Sequence, residues 1–112
     1  MRVAVSSSKS WHDEQAVIDA VSALPASTTF LLPSRQGACA IVLDHANSLK
    51  IEIEDWSSEP DDYDARGSSL NSEMLKADVD TVLVFLTPDA HAARDCMRQA
   101  RLMDLDLQIF GK

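Results

Sequence analysis

Short apolar runs alternate with segments of helical periodicity along the whole chain. β-Branched and apolar residues form short runs, typical of β-strands, at residues 1–6, 28–32, 49–53, 81–86 and 107–110. Apolar residues that recur three or four positions apart predict helices over residues 10–24, 36–48, 69–77 and 87–103. Strands that alternate with helices in this way indicate a mostly parallel sheet.

The pattern therefore predicts an α/β fold, a Rossmann-like open parallel sheet of about five strands with helices on both faces. The run TVLVFL at residues 81–86 is continuously apolar, which is typical of a central strand. Ile51 and Ile53 alternate with Glu52, which indicates an edge strand with one exposed face. A chain of 112 residues, 46% of them apolar, is expected to form a single domain spanning residues 1–112.

Three turns are the expected positions of a ligand site. In open α/β sheets, ligands bind beyond the carboxyl ends of the strands, where the strand order reverses. This rule selects the turns at residues 6–11, 33–38 and 86–93. Serine hydroxyls follow the first strand, and Ser10 with Asp13 resembles a capping box for the helix that comes next.

The long acidic loop at residues 54–69 is expected to close over these turns, with Ser68 or Ser69 capping the short helix after it. Trp56 and Tyr63 in this loop form either an aromatic lid over a base or a contact with the sheet edge. Its carboxylates are expected to form a solvated face, and they are Glu59, Asp61, Asp62 and Asp64.

Charge and composition exclude several classes of partner. A net charge of −8 disfavours binding to the phosphate backbone of a nucleic acid, but it leaves a small anionic ligand possible. No run of about 18 apolar residues predicts a membrane span, and the N-terminal apolar run is too short for a signal peptide. A cytoplasmic location is therefore expected. Cys39 and Cys96 are predicted to be buried free thiols, and no metal site or cofactor is expected.

Five segments, in register along nearly the whole chain, resemble one family. MRVAVSSSKSWHD resembles a strand followed by T-G-G/S-R-D-W-x-D, and PSRQGACAIVLDHA resembles G-G-A-R-G-A-D-x-L-A-x-x-W-A. IEIEDW resembles a strand ending in A-D-W, and YDARGSSLNSEML resembles x-x-A-G-P-x-R-N-x-x-M-L. DVDTVLVFLTPDAHAARDCMRQAR resembles D-x-V-L-A-F-P-G-G-x-G-T-x-D-M-x-x-x-A. These are motifs of the SLOG superfamily, in its YspA/YpsA-related type, which is related to the cytokinin-activating phosphoribohydrolases.

The resemblance implies a nucleotide or nucleotide-derived ligand bound across the three turns, and some relatives cleave the N-glycosidic bond of a nucleoside monophosphate. The glycine motifs are degenerate in this chain. Pro33–Ser34 replaces the paired glycines of the second turn, Gln36 replaces an arginine, and the last turn has no glycine. Proline removes an N–H donor, and the missing glycines close the space that a dinucleotide phosphate would fill. Arg35 is expected to replace the lost arginine.

The turns and the resemblance together give a set of residues expected to contact the ligand, with no catalytic residue among them. They are Ser7, Ser8, Lys9, Trp11, Ser34, Arg35, Gly37, Asn71, Thr87 and His91. A structural interpretation remains open for these residues as well. The serines after the first strand are then ordinary loop residues, and Ser34, Arg35 and Gly37 form a helix start with an exposed arginine. Trp11 is then a hydrophobic staple, Asn71 bonds within its own helix, and His91 is an ordinary polar residue.

Three functions are compatible with this reading. The first is non-catalytic binding of a nucleotide-derived small molecule, for sensing or sequestration, such as a phage-type sponge for an immune signalling nucleotide. The second is a nucleotide N-glycosidase or phosphoribohydrolase using Arg35 or Asp95, although the glutamate of the hydrolase relatives is not matched. The third is a protein-interaction module that has lost its ligand site. A homo-oligomer is expected in all three, with Met97, Leu102 and Met103 facing the partner.

Overall fold

A computed structural model describes residues 1–111 and confirms the predicted α/β fold. The strands are β1 (Arg2–Ser7), β2 (Thr29–Leu32), β3 (Glu52–Asp55), β4 (Thr81–Leu86) and β5 (Asp106–Gly111). All of them are parallel and lie in the order β3-β2-β1-β4-β5. The connecting helices are α1 (Glu14–Ser22), α2 (Ala38–Leu49), α3 (Tyr63–Leu75) and α4 (His91–Leu102).

Helices cover both faces of the sheet, as predicted. Alternate side chains of β1 point to opposite faces, so Val3 and Val5 pack on the side of α1 and α2 while Ala4 packs on the side of α3 and α4. Every residue of β4 is buried, which confirms that TVLVFL is an interior strand. The prediction that the third strand lies at an edge is also confirmed, since among residues 1–111 β3 pairs with β2 alone.

The first helix begins at Glu14, so the predicted capping box at Ser10 is wrong. The side chain of Asp13 is the N-cap, and it accepts a hydrogen bond from the Ala16 N–H at 3.2 Å. The Ser10 hydroxyl instead lies 3.0 Å from the Thr87 hydroxyl, in the turn after β4. A contact between two loops therefore engages the Ser10 side chain, which the local sequence predicts to cap the helix.

The second helix and the third strand are also displaced from their predicted bounds. Helix α2 continues to Leu49, the first residue of the strand predicted over residues 49–53. Lys50 then takes a left-handed conformation with φ 55° and closes the helix with N–H bonds to the Ala46 and Asn47 carbonyls. Strand β3 consequently begins only at Glu52.

The acidic loop is shorter than predicted, because α3 begins at Tyr63 and contains Ser68 and Ser69. Neither serine caps the helix, so that prediction is wrong. Gly67 and several serines make this segment a poor helix by propensity. Gly67, however, brings α3 close to α4: a Cβ there would lie 2.6 Å from the Ala92 Cβ. Packing of the two helices therefore outweighs local preference.

Candidate ligand-binding cleft

The reversal of strand order lies between β1 and β4, because the chain adds β2 and β3 on one side of β1 and then β4 and β5 on the other. Strand β1 pairs with β2 on one side and β4 on the other. The loops after these strands meet at the carboxyl edge of the sheet, which is the edge the sequence predicts for a ligand.

A cleft of about 210 Å³ opens at this edge, where the loops after β1 and β2 meet the start of α3. Its lining residues are Ser7, Lys9, Ser34, Gln36, Asp61, Asp62, Tyr63, Asp64 and Ala65. Three of these residues are predicted ligand contacts: Ser7, Lys9 and Ser34. The volume is below the roughly 300 Å³ at which typical pockets for drug-sized ligands begin. The cleft is therefore smaller than a typical pocket for a whole drug-sized ligand.

The second turn is bound by a carboxylate of the acidic loop. Asp61 Oδ2 accepts a hydrogen bond from the Arg35 backbone N–H at 2.7 Å and another from the Ser34 hydroxyl at 3.0 Å. The Arg35 guanidinium pairs with Asp55, and this hydrogen bond raises the pKa of Arg35. Arg35 is not among the residues that line the cleft. The donors that a phosphate would use at this turn are thus occupied by the protein's own carboxylate.

Gly37 brings the first and second turns together. It has φ 60°, and a Cβ on it would lie 2.0 Å from the Ser8 carbonyl oxygen. The Ala38 N–H that follows donates to the Ser7 hydroxyl at 2.9 Å. The single glycine of the turn is therefore needed for a close approach of two loops, a requirement that the sequence alone does not reveal.

The third turn forms a separate hydroxyl cluster with the first. The Ser8 hydroxyl lies 2.6 Å from the Thr87 hydroxyl, which donates to Asp89 at 2.5 Å. This hydrogen bond is the main cause of the lowered pKa of Asp89. His91 is exposed at the first residue of α4. Ser8, Thr87 and His91 do not line the cleft.

Trp11 packs on the sheet. Its ring meets Phe85 edge-on, with the ring centroids 5.3 Å apart, and its Nε1–H donates to the Asp13 carbonyl. This placement favours a structural role for the indole at the carboxyl edge of the sheet. Trp56 likewise packs against the core, and its Nε1–H donates to Glu54 at 3.1 Å. Of the two interpretations of Trp56, the sheet-edge contact is the one observed.

Tyr63 and Asn71 form a buried polar network beneath the cleft. The Tyr63 hydroxyl donates to Asn71 Oδ1 at 2.6 Å and lies 2.5 Å from the Ser6 hydroxyl. Asn71 is fully buried, and its Nδ2 donates to the Ala92 carbonyl and to Asp95. Burial raises the pKa of Tyr63 well above its usual value, so the phenol keeps its proton. The bonds of Asn71 connect α3 to α4, and its side chain does not reach the cleft.

The carboxylates of the acidic loop are more than a solvated face. Besides Asp61, the Asp62 side chain accepts from the Ser58 hydroxyl at 2.7 Å. Asp64 accepts from the Ala92 N–H in the first turn of α4, at 3.3 Å. Glu59 and Asp64 are exposed, as expected for a solvated face, whereas Asp61 and Asp62 are half-buried and that expectation is wrong for them. The sequence gives no signal of these three contacts. The partners of Asp61, Asp62 and Asp64 lie 27, 4 and 28 positions away, and no motif connects them.

Two lining side chains keep unused hydrogen-bonding capacity. Within residues 1–111, the Lys9 ammonium and the Gln36 amide make no hydrogen bond or ion pair. Gln36 is a ligand candidate that sequence reasoning missed, because the resemblance marked it as the loss of an arginine. The two buried thiols, by contrast, are chemically inert: burial raises the pKa of Cys39 and of Cys96 to about 12.

Across residues 1–111, no group of three or more histidines, cysteines or carboxylates has the arrangement of a metal site. No helix in that range has the length and apolar character needed to cross a membrane. Comparison of the chain with models of protein families, with curated proteins and with solved structures finds no match. The resemblance to the SLOG superfamily therefore stays a prediction from the motifs.

Proposed function

We propose that the protein binds a nucleotide-derived small molecule without chemically changing it, and acts by sensing or sequestering that ligand. The observation that carries the proposal is the cleft at the carboxyl edge of β1 and β2, in which the Lys9 and Gln36 side chains offer unused donors and Ser7 and Ser34 are further lining residues. An ammonium suits a phosphate, and an amide suits the edge of a base or the hydroxyls of a sugar.

The charges around the cleft orient such a ligand. Within residues 1–111, Lys9 is the one cation that lines the cleft, whereas Asp61, Asp62 and Asp64 supply three carboxylates. A phosphate placed beside Asp61, Asp62 or Asp64 would meet like charges, so its favourable position is next to the exposed Lys9. The neutral sugar or base then lies inside, against Ser7, Ser34 and Gln36.

Non-catalytic binding is favoured over hydrolysis by the state of the reactive groups near the cleft. Tyr63 is held in its protonated form, and the three aspartates already accept hydrogen bonds that fix loops and helices. Hydrolysis of a glycosidic bond needs a carboxyl group free to transfer a proton or attack the sugar. The enzyme alternative uses Arg35 or Asp95, but the Arg35 guanidinium is paired with Asp55, and Asp95 is paired with Arg98 and accepts a hydrogen bond from Asn71.

Calorimetry with a panel of nucleosides, nucleoside monophosphates and cyclic nucleotides tests the proposal. A phosphate-bearing ligand is expected to bind, and Lys9→Met is expected to weaken it by at least about tenfold while weakening the matching nucleoside much less. Lys76→Met is the matched control, because Lys76 follows the last residue of α3 whereas the cleft lies at its first residues.

The fate of the bound ligand separates the three functions. Native mass spectrometry after prolonged incubation is expected to return the ligand unchanged in mass. Release of a free base would establish the glycosidase alternative instead. Absence of binding across the panel would refute a nucleotide ligand and leave the protein-interaction module.

A further inference from the structure

The two edges of the sheet differ in how they are protected from pairing with another strand. Strand β3 has the sequence EIED, and its three carboxylates in four residues oppose the approach of another strand. Strand β5 has the sequence DLQIFG, so its last five residues are uncharged and contain no proline. Within residues 1–111, β5 pairs only with β4 and leaves its other edge open.

Proteins usually protect an exposed edge with charges, prolines, bulges or a covering segment. The central part of β5 has no charged residue and no proline, and Ile109 there is 39% exposed. We infer that the open edge of β5 pairs with the β5 edge of a second copy of this chain, so that two sheets join into one across a two-fold axis.

The distribution of charge favours a second copy at this edge. Residues 1–90 contain fifteen carboxylates and six basic residues, a net charge of −9. Residues 91–111, which form α4 and β5, contain three arginines and three aspartates and are neutral. Two copies of an acidic chain repel each other least where these neutral segments meet.

The sequence of β5 is also complementary to itself in an antiparallel pair. With the two-fold axis at Gln108, Leu107 of one copy lies opposite Ile109 of the other, and the two Gln108 side chains lie opposite each other. Leu107 packs on the side of α3 and α4, and Ile109 shares that face because strand side chains alternate. Two apolar pairs therefore form on this face. The two-fold dimer leaves neither copy with an open β5 edge.

Sedimentation velocity on the full chain, from about 1 μM to about 100 μM, tests the inference. A dimer is expected, and Ile109→Lys is expected to raise its dissociation constant at least about tenfold, because the axis places both lysines in one interface. Leu102→Lys places the same charge on α4, where the sequence predicts a partner contact; Leu102 is 76% exposed in the groove between α3 and α4, and loss of the dimer in this variant but not in Ile109→Lys would overturn the inference. Circular dichroism checks that both variants fold.

A cross-link gives a second test that does not depend on loss of binding. Cα atoms of directly opposite antiparallel residues are about 4.5–5.5 Å apart, within the range of a disulfide. Gln108→Cys is therefore expected to form a covalent dimer under mild oxidation, and Asp106→Cys is expected to form little. Cys39 and Cys96 are buried and do not compete. A monomer over the whole concentration range, or a dimer unaffected by Ile109→Lys and not cross-linked through Gln108→Cys, would overturn the inference.

Discussion

Replacement of Tyr63 by phenylalanine is expected to destabilise the fold through the network under the cleft. The change removes one oxygen atom and keeps the ring, so the apolar packing is retained. Asn71 Oδ1 then loses the donor that lies 2.6 Å away, at a residue that is fully buried. Ser6 loses its contact with the phenol, whose oxygen lies 2.5 Å from the Ser6 hydroxyl.

The expected loss of unfolding free energy is about 2–3 kcal/mol. A buried acceptor left without a donor costs about 1–3 kcal/mol, and the lost bond to Ser6 adds about 1 kcal/mol or less. This is a large share of the roughly 5–15 kcal/mol by which a domain of this size is stable. It corresponds to a fall in Tm of roughly 10 °C.

Urea unfolding followed by circular dichroism measures this loss, and a double-mutant cycle with Ser6→Ala locates it. Ser6→Ala is expected to cost less in the Tyr63→Phe protein than in the parent, because the shared hydrogen bond is already gone. A loss below about 0.5 kcal/mol for Tyr63→Phe would refute the reasoning, since it would mean that Asn71 finds another donor at no cost.

Three further changes test other parts of the structure. Gly67→Ala is expected to destabilise the fold by about 1–2 kcal/mol despite a gain in helix propensity, because the new Cβ lies 2.6 Å from Ala92; a more stable variant in urea unfolding would contradict the close packing of α3 and α4. The free energy of unfolding is expected to fall as pH rises from 9 towards about 12, because the thiols of Cys39 and Cys96 ionise above pH 9 in the unfolded chain but keep their protons in the fold; Cys39→Ala should make this fall less steep in urea titrations at successive pH values. Asp61→Ala should free the donors of the second turn, so phosphate is expected to raise the Tm of this variant more than that of the parent, and equal shifts would show that Asp61 does not occupy an anion site.

Hydrophobic periodicity alone determined the fold class. A period of two within short β-branched runs, and a period of three to four between them, allow only strands joined by crossover helices. Both the interior position of β4 and the edge position of β3 followed from the same pattern, because burial on two faces demands a continuous apolar run. The carboxyl edge of the sheet as the place for a cleft followed from the topology.

The tertiary structure decided where each polar side chain finds its partner. The sequence predicts that Ser10 caps a helix, but its hydroxyl contacts that of Thr87 in another loop. The sequence predicts that Asp61 is solvated, but its carboxylate binds the second turn. The sequence predicts Tyr63 as part of a lid or of a contact with the sheet edge, but its hydroxyl lies 2.5 Å from that of Ser6, 57 positions away, in a buried contact. Each partner lies far along the chain, so no local spacing encodes the contact. Periodicity reports burial, which is a property of one position, whereas a hydrogen bond depends on the placement of two positions that only the folded chain brings together.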